Sequence, residues 1–301
     1  RRVRLKTARL AAFGSTRRAG NPAEQDPNLL KLLEAQTPVT TIFGKSWLLH
    51  VHDVLRVSPD DNLVMVRDSC QFLRDHGKEV IFDAEHFFDG YRDSPAYALD
   101  VLRAALAGGA TTLVLCDTNG GMLPMDVERT VRAVAAALGP AVPLGIHCHN
   151  DTECAVANSL AAVSAGCTHV QGTINGLGER CGNADLCSII PGVELKLRRR
   201  CVPAGSLRRL GELSTFVYDL ANLRPDTHLP YVGASAFAHK GGMHVNAVQK
   251  NAATFEHIPP ETVGNRRRVL VSDLAGGSNI MMRAAEHHLT LDQKGPEVRK
   301  I

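Results

Sequence analysis

No stretch of the 301-residue sequence approaches the roughly 18 consecutive apolar residues of a membrane-spanning helix. Charge excess is lacking too. The 34 Lys and Arg against 31 Asp and Glu leave a formal net charge of +3, scattered along the chain, which argues against nucleic acid as a partner. No Cys-x-x-Cys pair occurs, so a structural zinc site has no ligand motif. Compositional bias is equally missing. The hydrophobic share is 44% and the charged share 22%. These lie close to the globular averages of about 45–50% and about 25%, which excludes a disordered or collagen-like chain. Without a secretory signal, the eight cysteines (70, 116, 148, 154, 167, 181, 187 and 201) read as free thiols in a reducing compartment.

What is present is a rhythm. Short apolar runs predict strands over Arg9–Phe13, Val39–Phe43, Glu79–Ala84, Thr112–Cys116, Leu144–Cys148 and Val170–Thr173. Helical patterns lie between and after them, over Asn28–Ala35, Asp60–Asp75, Pro95–Ala107, Pro124–Leu138, Glu153–Ala165 and Asn183–Leu197. Pro95 and Pro124 suit first-turn positions, and Gly77, Gly108, Gly139 and Gly166 suit the positions just past a helix. This alternation implies a parallel sheet covered by helices. Six units fit a doubly wound sheet, whereas a TIM barrel needs eight strands. All six strands nevertheless end in polar clusters, which favours a ring of loops around one site. The rhythm stops near residue 198. The expected division is a β/α barrel over 1–197 and a helical linker and subdomain over 198–301. Residues 1–20 carry seven basic residues and no acid, a composition that fits an organellar transit peptide. Ala8–Phe13 reads instead as a strand running into a Gly-Ser-Thr loop, so the expectation is a chain that starts inside a fold.

The sharpest chemical element is His147-Cys-His149. Residues i and i+2 of a strand share a face, so both imidazoles can reach one divalent metal; two hydrogen-bonded histidines are the alternative. Asn183, expected to open a helix after the next strand, lies within reach of the same rim. The loop Gly176-Leu-Gly-Glu-Arg-Cys-Gly-Asn183 reads as a phosphate cradle or as a tight turn with a Glu–Arg pair. Glu85 is a strand-end carboxylate fit for general acid/base work or for a structural hydrogen bond. Asp117-Thr118-Asn119 offers a hydroxyl and an amide to a substrate carboxylate, or a cap. His244 follows two glycines and is a catalytic histidine or one that lies on the surface or serves packing.

Taken together, Phe43-Gly-Lys-Ser, Asp83-Ala-Glu-His-Phe-Phe-Asp-Gly, Cys116-Asp-Thr-Asn-Gly-Gly, His147-Cys-His-Asn-Asp, Gly176–Asn183 and Phe237-Ala-His-Lys-Gly-Gly-Met-His resemble the 2-isopropylmalate, homocitrate and citramalate synthases, the DRE-TIM metallolyases. Ala12-Phe-Gly-Ser-Thr-Arg-Arg and Asp83–Tyr91 resemble the citramalate branch most. The resemblance implies a TIM-type (β/α) barrel and an acyltransferase that joins acetyl-CoA to a 2-keto acid, pyruvate in the citramalate branch, for branched-chain amino-acid synthesis. It implies a divalent metal (Mn, Mg or Zn) on His147, His149 and Asn183. Thr118 would hold the keto-acid carboxylate, and Glu85 and His244 would serve as acid/base residues. It further implies a homodimer in which His244 serves the partner's site, and a cytoplasmic enzyme, or a stromal one in a eukaryote. One departure stands out. The family's first strand carries Arg-Asp-Gly, its Asp a fourth metal ligand, and no such segment occurs here. The expectation is a barrel lacking its first two strands, with impaired activity and exposed sheet edges. 2-Isopropylmalate or homocitrate synthesis and a non-catalytic remnant are the alternatives. An amidohydrolase, which carries its His pair on the first strand, fits less well.

Overall fold

The structure is a computed structural model that describes residues 5–270, 279–281, 284 and 288–291. The chain divides into two compact units, Arg1–Asp185 and Leu186–Ile301. The division falls between Asp185 and Leu186, inside the helical stretch expected over Asn183–Leu197.

The first unit is built on six parallel strands in sequential order: β1 (Ala11–Ser15), β2 (Val39–Lys45), β3 (Glu79–Glu85), β4 (Thr112–Asp117), β5 (Leu144–Cys148) and β6 (His169–Gln171). Helices α1 (Pro27–Glu34), α3 (Pro59–Asp75), α5 (Pro95–Ala107), α6 (Pro124–Leu138) and α7 (Ala155–Ala165) connect them. Short α2 (Leu48–His50) and α4 (Phe87–Asp93) follow β2 and β3. Local chemistry sets the helix ends. Ser58 and Asp61 form a reciprocal capping box that starts α3, and the Asp26 carboxylate accepts from the Asn28 and Leu29 N–H groups to start α1. After α5 the left-handed turn falls on Gly109 (φ +93°), while Gly108 stays right-handed, one residue earlier than the role expected of it. Strand β1 lies two residues beyond the expected Arg9–Phe13, because its ladder with β2 begins at the Ala11–Val39 pair.

The sheet curls. Asp83 on β3 accepts a hydrogen bond from Gln171 Nε2 on β6 at 2.8 Å. In a flat sheet three steps of about 4.8 Å would hold those strands roughly 14 Å apart. Only a strongly curved sheet brings them together, as in a barrel wall. The convex face is apolar: Val80, Phe82, Ala84, Leu113, Leu115, Ile146 and Cys148 are fully buried. Helices supply the opposing layer, with Val66, Cys70 and Leu73 of α3, Val101 and Leu102 of α5, and Val127, Val131 and Val134 of α6 all buried.

The second unit holds α8 (Leu186–Pro191), α9 (Leu210–Leu220), α10 (Gly242–Lys250) and a two-stranded parallel pair, β7 (Ala238–His239) with β8 (Arg268–Val269). Phe237, Ile258 and Val263 form a core cluster within it, with Leu195 and Tyr231 against them. Glu256 is buried beside that core and is satisfied by both Arg267 (2.6 Å) and His239 Nε2 (3.0 Å). No helix among the described residues is long and apolar enough to cross a membrane.

Candidate active site at the strand C-termini

Parallel register determines which side chains meet. Lys45 lies beside Glu85, and Cys116 beside His147, which in turn lies beside Gln171. These positions form the last layer of the concave face before the loops. Above them, the main-chain N–H of His149 donates to Asp117 O (3.2 Å), and His149 forms an antiparallel bridge with Asn183. Asn183 thus sits in a paired extended segment rather than opening a helix, which starts at Leu186. The bridge brings it to the His pair.

The imidazoles of His147 and His149 stand 5.2 Å apart, centroid to centroid, in a T-shaped arrangement. Burial is the main reason that both resist protonation; it pulls His147 down to about 4. Neutral imidazole is the ligand form of histidine. Three buried atoms here have no hydrogen-bond partner: His147 Nδ1, His149 Nδ1 and Asn183 Oδ1. The amide of Asn183 is oriented by its other end, since Nδ2 donates to Leu177 O (3.1 Å). A Cβ at Gly178 would overlap that same Nδ2, so a larger residue there would push the Asn183 amide out of this orientation. Leaving three polar atoms buried and unpaired at one place is costly unless something binds them. Two imidazole nitrogens and an amide oxygen suit a divalent cation. Among the described residues no trio of His, Cys, Asp and Glu converges on a metal position, so the amide is what distinguishes this donor set.

Glu85 ends β3, half-buried, with Oε2 ion-paired to Lys45. Thr118 follows β4. Its Oγ1 accepts from the His86 N–H (2.8 Å), and its carbonyl accepts from Arg180 (2.8 Å). Arg180 also grips Asp151 with two bonds of 2.7 and 2.9 Å. The Gly-rich loop therefore clamps the β4 and β5 loops through Arg180–Asp151, where a Glu–Arg pair within the loop was one expectation. Asp117 caps its own loop, accepting from the Gly121 and Met122 N–H groups, and Asn119 donates to Asp89 (2.9 Å). His244 belongs to the second unit, exposed on α10 with its ring 4.2 Å from that of Phe255.

Three groups of this rim have no role assigned from the sequence: Gln171, and Lys45 and Asp83, which stand in the strand-end motifs. Asp83 is buried, and burial lifts it to about 7 despite the Gln171 bond. The period of two could have exposed it, since Asp83 and Glu85 share a strand face. Gln171 carries no such signal, because its partners lie far away in sequence.

A curled parallel β/α sheet with its polar groups gathered at the strand C-termini defines the class: a (β/α)-barrel enzyme scaffold whose rim donors could hold a divalent metal. Comparison with known proteins agrees. The HMGL-like family model matches residues 25–217, and the homocitrate synthase post-HMGL domain-like model matches residues 231–299. The chain belongs to the HMGL-like family. It is 54% identical over its whole length to an (R)-citramalate synthase of Geobacter sulfurreducens, and 52% identical to that of Aquifex aeolicus, in each case covering 57% of the relative. It is 35% identical to a probable 2-isopropylmalate synthase of Methanopyrus kandleri, over 89% of this chain and 53% of that one. The chain thus spans little more than half the length of these relatives. Among solved structures, the HMG-CoA lyase of Pseudomonas aeruginosa superposes with a TM-score of 0.60 at 18% identity, over 74% of this chain and 73% of that one. The lyase of Brucella melitensis gives 0.59 at 16%, over 71% and 74%.

Proposed function

We propose that the intact protein condenses acetyl-CoA with pyruvate to form citramalate. The observation that carries this reading is the set of three buried, partnerless donors on His147, His149 and Asn183, on the same rim as Glu85 and Thr118. High identity to proteins named (R)-citramalate synthase over the entire chain supports pyruvate over a bulkier keto acid.

A divalent ion on those donors, Mn, Mg or Zn, would supply Lewis acidity toward the keto carbonyl. The chain's own residues do the rest. Thr118 Oγ1 has one lone pair occupied by the His86 N–H, so its hydroxyl proton is free to donate to the keto-acid carboxylate. Glu85 accepts a methyl proton from acetyl-CoA, and the resulting enolate carbon bonds to the keto carbon of pyruvate. His244 donates a proton to the new alkoxide oxygen. Water then cleaves the thioester and releases CoA. We assign His244 to the site of the partner in a homodimer. Eight cysteines without a disulfide support a reducing compartment, the cytoplasm or an organellar stroma.

The test is a thiol-release assay on the intact protein with acetyl-CoA and pyruvate, 2-oxoisovalerate or 2-oxoglutarate in turn. Turnover with pyruvate far above the other two is expected. Preference for 2-oxoisovalerate would move the reading to 2-isopropylmalate synthesis, and no turnover with any of them would sink it.

A further inference from the structure

Lys45 ends β2 with its side chain only 16% exposed, and Glu85 ends β3 at 22%. Burying a lysine to this extent is unfavourable unless it is paired. The register places the two residues side by side, and both main chains are fixed independently of the side chains. Asn62 Nδ2 donates to Lys45 O (2.9 Å) and is itself braced by Tyr97 Oη (2.9 Å). Ser46 donates twice to Glu85 O, from its hydroxyl at 2.6 Å and its N–H at 3.3 Å. The ammonium also lies over the Phe43 ring, 5.8 Å from its centroid. The Lys45 ammonium contacts Glu85 Oε2, a buried oxygen, so one end of the carboxylate is held by the ion pair. A carboxylate held at one oxygen is kept in one place, with Oε1 left for another partner.

We propose that Lys45 is a positioning residue: paired to Oε2, it fixes the Glu85 carboxylate at the rim in the orientation from which it meets the acyl donor. The inference rests on the reading of Glu85 as the proton acceptor. A lysine with a purely structural role would stabilise the fold whatever stood at position 85. A positioning lysine matters to the rate only when the carboxylate is there to be placed.

A double-mutant cycle separates the two. Lys45→Met should lower kcat by about 10–100-fold, the range expected when a reacting group is misplaced by about an ångström, with little change in either KM. Lys45→Gln, which keeps length and polarity, is measured alongside in case the Met variant does not fold, and should fall in the same range. Lys45→Arg keeps the charge and should recover part of the loss. In a Glu85→Gln background, Lys45→Met should cause no further drop in kcat. An equal loss in both backgrounds, or Lys45 variants as fast as the parent beside a slow Glu85→Gln, would overturn the positioning role alone. A Glu85→Gln variant as fast as the parent would instead remove the proton-acceptor reading, and this inference with it.

Discussion

The two faces of the six-stranded sheet come from the same strands, residue by alternate residue, yet they do opposite things. On the convex face Val80, Phe82, Ala84, Leu113, Leu115 and Ile146 are fully buried under helices. On the concave face Lys45, Asp83, Glu85, His147 and Gln171 gather toward the strand C-termini. Eleven buried side-chain nitrogen and oxygen atoms among the described residues lack a hydrogen-bond partner. Five of them belong to His50, His86, His147, His149 and Asn183, at the strand C-termini or in the segments that follow them, and a sixth, Glu85 Oε2, meets only the Lys45 ammonium. A fold has no use for that concentration of unmet polar atoms, whereas a ligand site does. The concave face keeps a small apolar cluster of Val39, Ile81, Val114 and Cys116, so the comparison teaches that most apolar burial is vested in one face and the chemistry in the rim of the other.

The sharpest way to break that division is His149→Ala. If the concave rim is a metal site, elemental analysis of the variant should show the divalent ion gone and condensation reduced to background, with the helical circular-dichroism signal retained. Unchanged metal content would mean that the orphaned atoms have another purpose. On the convex face the expected cost is of another kind. Phe82→Ala removes a fully buried ring and should lower unfolding free energy by about 3–5 kcal/mol in denaturant melts. The folded fraction should still bind metal, and a Phe82→Ala protein that folds normally but loses its metal would blur the two roles.

The same division explains what was legible in the sequence. Helices α5 and α6 were readable because Pro95 and Pro124 mark their starts and glycines their ends. The His pair was readable because i and i+2 share a strand face. Helix α4 was not, since seven residues with Gly90 inside give no periodic signal. Asn183 looked like a helix opener, but main-chain pairing with His149 decides its conformation, and that pairing is a tertiary event. Lys45 stood in a quoted motif, yet its role depends on the β2–β3 register, which only the fold fixes. Gln171 meets Asp83 because the sheet curls, a property of all six strands and of no local segment.

Asp83 sharpens the comparison through pH. It lies on the chemical face but is buried like a residue of the other, and burial lifts its carboxyl from 3.8 to about 7. Below pH 4 both folded and unfolded chains hold the proton, and its burial carries no ionisation penalty. Between about 4 and 7 the unfolded chain ionises while the folded one stays protonated, so stability falls as pH rises. Above 7 the full penalty stands. Asp83→Asn keeps an oxygen that can accept from Gln171 and removes the ionisation. The variant should therefore gain on the parent across that window, by an amount on the order of a few kcal/mol, and hold the gain at higher pH. Melts at pH 4, 5.5, 7 and 8 measure it, and a gap that does not widen with pH would show that Asp83 is ionised in the fold throughout.

The smallest effect lies outside both faces and provides the control. Arg132 and Glu128, four residues apart on α6, form an ion pair at 2.7 Å with side chains 58% and 44% exposed. Water solvates both groups in either state, and salt screens their attraction, so the pair contributes about 0.3–0.5 kcal/mol. Arg132→Ala should lower the melting temperature by about 1 °C, and raising the salt concentration should shrink even that difference. Catalysis should be untouched. The contrast with Lys45–Glu85 is then one of environment rather than residue type, since both are cation–carboxylate pairs at contact distance. Should Arg132→Ala cost as much as Phe82→Ala, ion pairing on the helices would rank with apolar burial, and the division of labour between the two faces would no longer account for the stability of this unit.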